Sequence, residues 1–145
     1  MFLQVHPVDT NGNSRPPMSI RASAIEYISS QPAWGSKGRL AYYVKGELKM
    51  IGTVETLSDL VTMLDDGGMI RQFFAVTLVD MSSFGVNAVS KSLPFDCQFN
   101  ADRIVAVSDG ESRGGGKAIL STATSTYDVM ESVGEIMVQL SEHGD

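Results

Sequence analysis

The chain runs through nearly the same pattern twice, and this constrains its fold more than any single motif does. Phe2-Leu3-Gln4-Val5-His6-Pro7-Val8-Asp9 returns as Phe73-Phe74-Ala75-Val76-Thr77-Leu78-Val79-Asp80. Ile20 to Ser29 returns as Phe99 to Ser108, and Val54 to Leu64 as Met130 to Leu140. Three matches in one order imply a duplicated module. A duplicated module predicts an internal pseudo-two-fold, a shared core and a repeated surface. The repeats span 1–68 and 69–145. At about 70 residues each half would be marginal alone, so the expectation is one domain over 1–145.

Hydrophobic periodicity predicts what each copy contains. Residues 2–8 alternate as a strand, and the Asn-, Gly- and Pro-rich stretch from Asp9 to Pro17 reads as a turn. Met18 to Ile28 reads as a second strand with a possible bulge, because Ile20, Ala22 and Ala24 share one face before the phase changes at Ile25 and Tyr27. Strands follow at Arg39–Val44 and Leu48–Ile51 about a tight turn at Lys45-Gly46-Glu47. Val54, Leu57, Leu60, Val61 and Leu64 then fall at helical spacing, with Thr53 or Thr56 as cap. The second copy predicts strands at 72–80 and Phe95–Val107 and a strand or hairpin at Lys117–Ser125, with 84–94 a longer connection. A final helix carries Val129, Val133, Ile136, Met137 and Leu140, with Asp128 and Glu131 as a capping-box-like start. The fold class is α+β: two tandem repeats of antiparallel strands followed by a helix. Met50, Met63, Met130 and Met137 read as core fillers.

Composition narrows the function classes. At 43% hydrophobic and 19% charged the chain is suited to a packed core rather than disorder. Its single cysteine, Cys97, permits no intrachain disulfide and reads as a small buried hydrophobe, which fits a reducing compartment. No basic run followed by an apolar one marks a secretory signal, and no apolar stretch approaches about 18 residues. The expectation is therefore a cytoplasmic protein (in a bacterial host's cytoplasm if viral) with no membrane partner. A net charge of −6 argues against nonspecific duplex binding by the whole surface, while leaving room for a local basic groove.

Catalysis finds little support. His6 and His143 are far apart in sequence and neither belongs to a nucleophile–base motif. Cys97 and two distant histidines do not make a metal-ligand spacing. Gly110-Glu111-Ser112-Arg113-Gly114-Gly115-Gly116-Lys117-Ala118 approaches a phosphate loop but is one residue too long. It also has Ala118 where Ser or Thr would bind magnesium, and it leads into a strand. No catalytic residue, metal or cofactor is expected.

The stronger signal is Trp34 to Lys49. Four of the chain's eleven basic residues (Lys37, Arg39, Lys45 and Lys49) lie here beside one acid, Glu47, with the sole tryptophan and with Tyr42 and Tyr43. Cations neutralise phosphates and exposed rings stack on unpaired bases. On a strand, Arg39, Ala41, Tyr43 and Lys45 share one face and Leu40, Tyr42 and Val44 the other. The second copy's loop is again glycine-rich and basic, with Arg113 and Lys117, but has no aromatic. The plain structural alternative is two solvated hairpin tips, with Trp34 covering the core edge.

Strands then a helix, twice, with a basic motif in the first copy, resembles the Whirly family of single-stranded DNA-binding proteins. It also resembles the positive-cofactor-type coactivators, which build such a platform from two single-repeat chains. The Whirly motif Lys-Gly-Lys-Ala-Ala-Leu is similar to Lys37-Gly38-Arg39-Leu40-Ala41-Tyr42 here. Compact single-strand binders of bacterial viruses, some acting as transcription cofactors, are similar in size and acidity. The resulting expectation is a non-enzymatic single-stranded DNA-binding homo-oligomer acting in transcription or replication, with RNA polymerase or another replication or transcription protein as accompanying partner. The alternative is a protein–protein interaction module using an open sheet edge or the 84–94 segment. A small-molecule sponge at the pseudo-two-fold ranks third.

Overall fold

The computed structural model describes residues 1–30, 35–79, 94–110 and 117–143. The architecture is α+β, with mostly antiparallel strands and two helices among the described residues. β1 (Phe2–Val5) pairs with β3 (Met18–Arg21), setting Phe2 opposite Arg21 and Leu3 opposite Ile20. β2 (Pro7–Val8) continues β1 beyond His6. After a 3-10 turn at Ala22–Ala24 come β4 (Ile25–Ser29), β5 (Gly38–Val44), β6 (Glu47–Thr53) and α1 (Leu57–Asp66). Pro7 of β2 lies opposite Thr53 of β6.

In the second half β7 (Phe73–Val79) pairs with β8 (Pro94–Asn100), setting Phe73 opposite Asn100 and Phe74 opposite Phe99. Another 3-10 turn, Ala101–Arg103, precedes β9 (Ala106–Asp109), β10 (Ala118–Ser121), β11 (Thr126–Val129) and α2 (Val133–His143). The described strands other than β1 and β3 form one sheet in the order β2-β6-β5-β4-β8-β7-β11-β10-β9. The halves meet in the middle, where β4 lies antiparallel to β8.

Both long strands expected from the sequence are broken. Met18 to Ile28 is divided by the turn at Ala22–Ala24, where three small residues let the chain tighten and the Ile25 N–H returns to the Ala22 carbonyl. Phe95 to Val107 is divided the same way, and here the Asn100 side chain accepts the Asp102 N–H at 3.0 Å. The start of the last helix also differs. Asp128 belongs to β11, and Glu131 instead accepts the Thr77 backbone N–H at 2.8 Å. The cap is Ser132, whose hydroxyl accepts the Glu135 N–H at 3.2 Å while Glu135 accepts the Ser132 N–H at 3.1 Å. α1 has the same reciprocal cap from Thr56 and Asp59.

Two packed clusters form the core. One gathers Leu3, Val5, Ile20, Ile28, Leu40, Leu60 and Leu64, and the other Phe74, Val76, Phe99, Leu120, Val129 and Ile136. They exchange members across the junction: Phe73 packs in the first, Tyr27 and Ala41 in the second. Cys97 is buried, and desolvation pushes its thiol well up, with Glu131 and Asp96 adding to the rise. The methionines divide. Met63 packs against the first cluster, while Met50 on β6, Met137 on α2 and Met130 in the link between β11 and α2 are exposed.

The helices should fasten the sheet through few residues. Leu60→Ala is expected to cost about 2–5 kcal/mol, whereas Val138→Ala, at a position 60% exposed on α2, should stay within about 0.5 kcal/mol. Urea-unfolding midpoints check both, and equal losses would contradict this assignment of the buried face.

Candidate nucleic-acid interface

The basic segment is presented by the β5–β6 hairpin. Lys45 and Gly46 both adopt positive φ, 52° and 80°, which makes the two-residue turn whose twist matches the flanking strands. At the other end, Lys37 is exposed and its backbone N–H donates to the Thr53 carbonyl at 3.0 Å. Gly38 follows because nothing larger fits: a Cβ there would lie 2.7 Å from the Glu55 carbonyl oxygen.

This geometry spreads the four cations. Lys37 and Arg39 sit at the start of β5 and Lys45 at its far tip, roughly 20–26 Å away at about 3.3 Å per strand residue, while Lys49 lies on β6 opposite Tyr42, part-way along the hairpin. Lys49 pairs with Glu47 at 3.4 Å with both side chains largely exposed, a contact that contributes little. The expected platform face of β5 is not open either. Ala41 is fully buried, since β5 is covered on both faces. Tyr42 is half-buried and packs against the first core cluster. Tyr43 is half-buried as well: its hydroxyl donates to Glu26 and lies 3.1 Å from the Thr124 hydroxyl, and the Arg103 guanidinium sits 4.6 Å from its ring centroid. Neither tyrosine presents a free ring. Trp34 and Arg113 lie outside the described residues. Lys117 is exposed, and its backbone N–H donates to the Val129 carbonyl at 2.7 Å, the same bond to the next strand that Lys37 makes.

The sequence reading passed over the polar centre of the molecule. Glu26 is fully buried at a β-bulge in β4, where the register shifts between Ile25 and Tyr27, and the Tyr43 and Tyr127 hydroxyls both donate to it. The Tyr127 phenol is held well above its ordinary range by burial, then by its bond to Glu26, with Ser125 opposing. Burial pushes the adjacent Tyr27 phenol up to about 12, with Cys97 adding to the rise and Arg39 opposing. Tyr27, Phe99 and Tyr127 form a ring cluster with centroids 5.2 to 6.0 Å apart. The available signal was one acid inside the apolar run Ile25-Glu26-Tyr27-Ile28.

A second carboxylate does similar work at His6, where the chain passes from β1 to β2. Glu55 accepts the His6 backbone N–H at 2.8 Å and meets its Nδ1 at 2.7 Å. Desolvation raises this carboxyl, but the His6 contacts together outweigh it, so it lies below its ordinary range. A depressed folded-state value places the stabilisation above the usual carboxylate range and removes it as pH falls. The described residues contain no group of three or more side chains able to hold a metal ion. None of their helices is long and apolar enough to cross a membrane. No family model, curated protein or solved structure matches the chain.

Tyr43→Phe and Tyr127→Phe each remove one donor from a sealed carboxylate. Each should cost about 1–3 kcal/mol in chemical denaturation at neutral pH. A variant as stable as the wild type would show that Glu26 is not held this way.

Proposed function

We propose that the chain is a duplicated unit that binds single-stranded nucleic acid, DNA in preference to duplex, through the two basic glycine-rich loops leading into β5 and β10. The duplication rests on matched ladders. Leu3 faces Ile20 as Phe74 faces Phe99; Pro7 faces Thr53 as Leu78 faces Val129; Leu40 faces Ile28 as Leu120 faces Val107. Glu55 on His6 is likewise matched by Glu131 on Thr77. The observation that carries the binding reading is the repeated placement of one exposed cation, Lys37 and Lys117, by the same backbone bond. With Tyr42 and Tyr43 committed to the interior, stacking on bases falls to Trp34. The resemblance to Whirly and positive-cofactor-type proteins supports the same reading, with a role in transcription or replication. An interaction module is the second reading, favoured by the uncovered outer edge of β9 among the described residues.

Each phosphate contact contributes a slope of about 0.7 in log–log salt dependence on single strands. Lys37→Ala with Lys117→Ala should therefore flatten that slope by about one to two contacts. Trp34→Ala should weaken binding by about 1–3 kcal/mol with the slope nearly unchanged. Fluorescence anisotropy with a labelled oligonucleotide across a salt series measures both. A wild-type protein that binds no single strand at low salt overturns the reading.

A further inference from the structure

The contact that joins the halves is made between unlike strands. β4 pairs with β8, setting Tyr27 opposite Phe99, Ile28 opposite Gln98 and Ser29 opposite Cys97. Around this ladder the Asn100 amide donates to the Ile25 carbonyl and the Arg103 guanidinium to the Ser23 carbonyl, both at 2.8 Å. The matched strands of the opposite pairing are β9 and β3. Among the described residues β9 has β10 as its one neighbour, and β3 has β1.

Burial follows this difference. Every residue of β4 is buried, whereas Ala106, Ser108 and Asp109 of β9 are exposed. Val105, which corresponds to the sealed Glu26, is 69% exposed. Beside β3 runs an open groove of about 360 Å³, lined by Ile20, Arg21, Ala24, Tyr42 and Val44 among others. Their counterparts are Phe99, Asn100, Arg103, Thr122 and Thr124, the residues on which β4 and Tyr43 are seated. The backbone is set for the same contact. The Ala22 N–H donates to the Met1 carbonyl, so the alternation of an antiparallel ladder turns Ser19 away from β1. The Gly110 N–H donates to the Lys117 carbonyl, which by the same alternation turns Val107 away from β10.

We propose that β9 of one copy seats on β3 of the next, repeating head-to-tail between chains the contact that β4 makes with β8 within the chain. Val107 then lies opposite Ser19, as Ile28 lies opposite Gln98, and Arg21 takes the Ile104 carbonyl as Asn100 takes that of Ile25. Val105 replaces Glu26, and Ile51 replaces Tyr127, so the polar fastening inside the chain becomes an apolar one between chains. Such a heterologous contact closes into a ring when its rotation permits, and otherwise grows as a filament. The proposal does not depend on nucleic-acid binding.

Two edge variants test it. Val105→Asp puts a charge on the β9 edge, and Ser19→Pro removes the outward N–H of β3 while leaving the β1 ladder intact. By sedimentation, the wild type is expected at a multiple of 15.6 kDa and each variant alone at that single mass. A one-to-one mixture is expected at twice that mass, because each variant retains the edge the other lacks. Circular dichroism and melting curves establish that the variants are folded. Independently, a Ser19→Cys, Val107→Cys double variant should give a ladder of cross-linked chains on a non-reducing gel after oxidation. A wild type that stays at 15.6 kDa across the concentration series, a mixture that stays there, a single variant that assembles as the wild type does, or an oxidised double variant running as one chain overturns the proposal.

Discussion

The structure depends on one junction, the antiparallel pairing of β4 with β8, fastened by Glu26 and the two tyrosine hydroxyls that donate to it. A buried carboxylate is costly unless its lone pairs are satisfied, and here the donors come from both halves: Tyr43 from the first, Tyr127 from the second. The cores follow the same logic, since Phe73 packs with the first half and Tyr27 and Ala41 with the second. Units this small bury too little apolar surface to be secure alone. Sharing core members and one sealed acid makes each half part of the other's interior.

The same junction explains why the basic hairpin is a different object from the one its sequence suggests. Alternation along a strand assigns faces, but it does not say whether either face is open. β5 packs Leu40 and Tyr42 against one core cluster and Ala41 into the other, so both of its faces are covered, and the Tyr43 hydroxyl is taken by Glu26. What remains outside is Lys37 and Lys117 at the strand starts, Lys45 at a hairpin tip and Lys49 part-way along β6. These cations are dispersed: five antiparallel pairings separate β5 from β10, so the two strands run in opposite directions and Lys37 and Lys117 lie at opposite ends of the sheet.

Elements with strong local signals were legible. The apolar stripe at Leu57, Leu60 and Leu64 defines α1, and Lys45-Gly46 defines the turn, because helical period and positive φ are written in neighbouring residues. The breaks at Ala22–Ala24 and Ala101–Arg103 were not, since alanine, serine and aspartate suit strand and turn alike there and tertiary packing decides. β11 was absorbed into the expected final helix because Asp128 and Glu131 imitate a cap, while the Glu131 carboxylate is claimed by Thr77, 54 residues away. Glu26 was missed for the same reason: its partners lie 17 and 101 residues along the chain.

The central claim, that β4 and β8 fuse two small halves into one cooperative body, is tested most directly by native-state hydrogen exchange. If the junction is the keystone, the β4 and β8 amides that bond across it exchange only through global unfolding, at the rate of the most protected amides in both cores. If those amides exchange through an opening of lower free energy while β5 and β7 stay protected, the halves are separable units and the account is wrong.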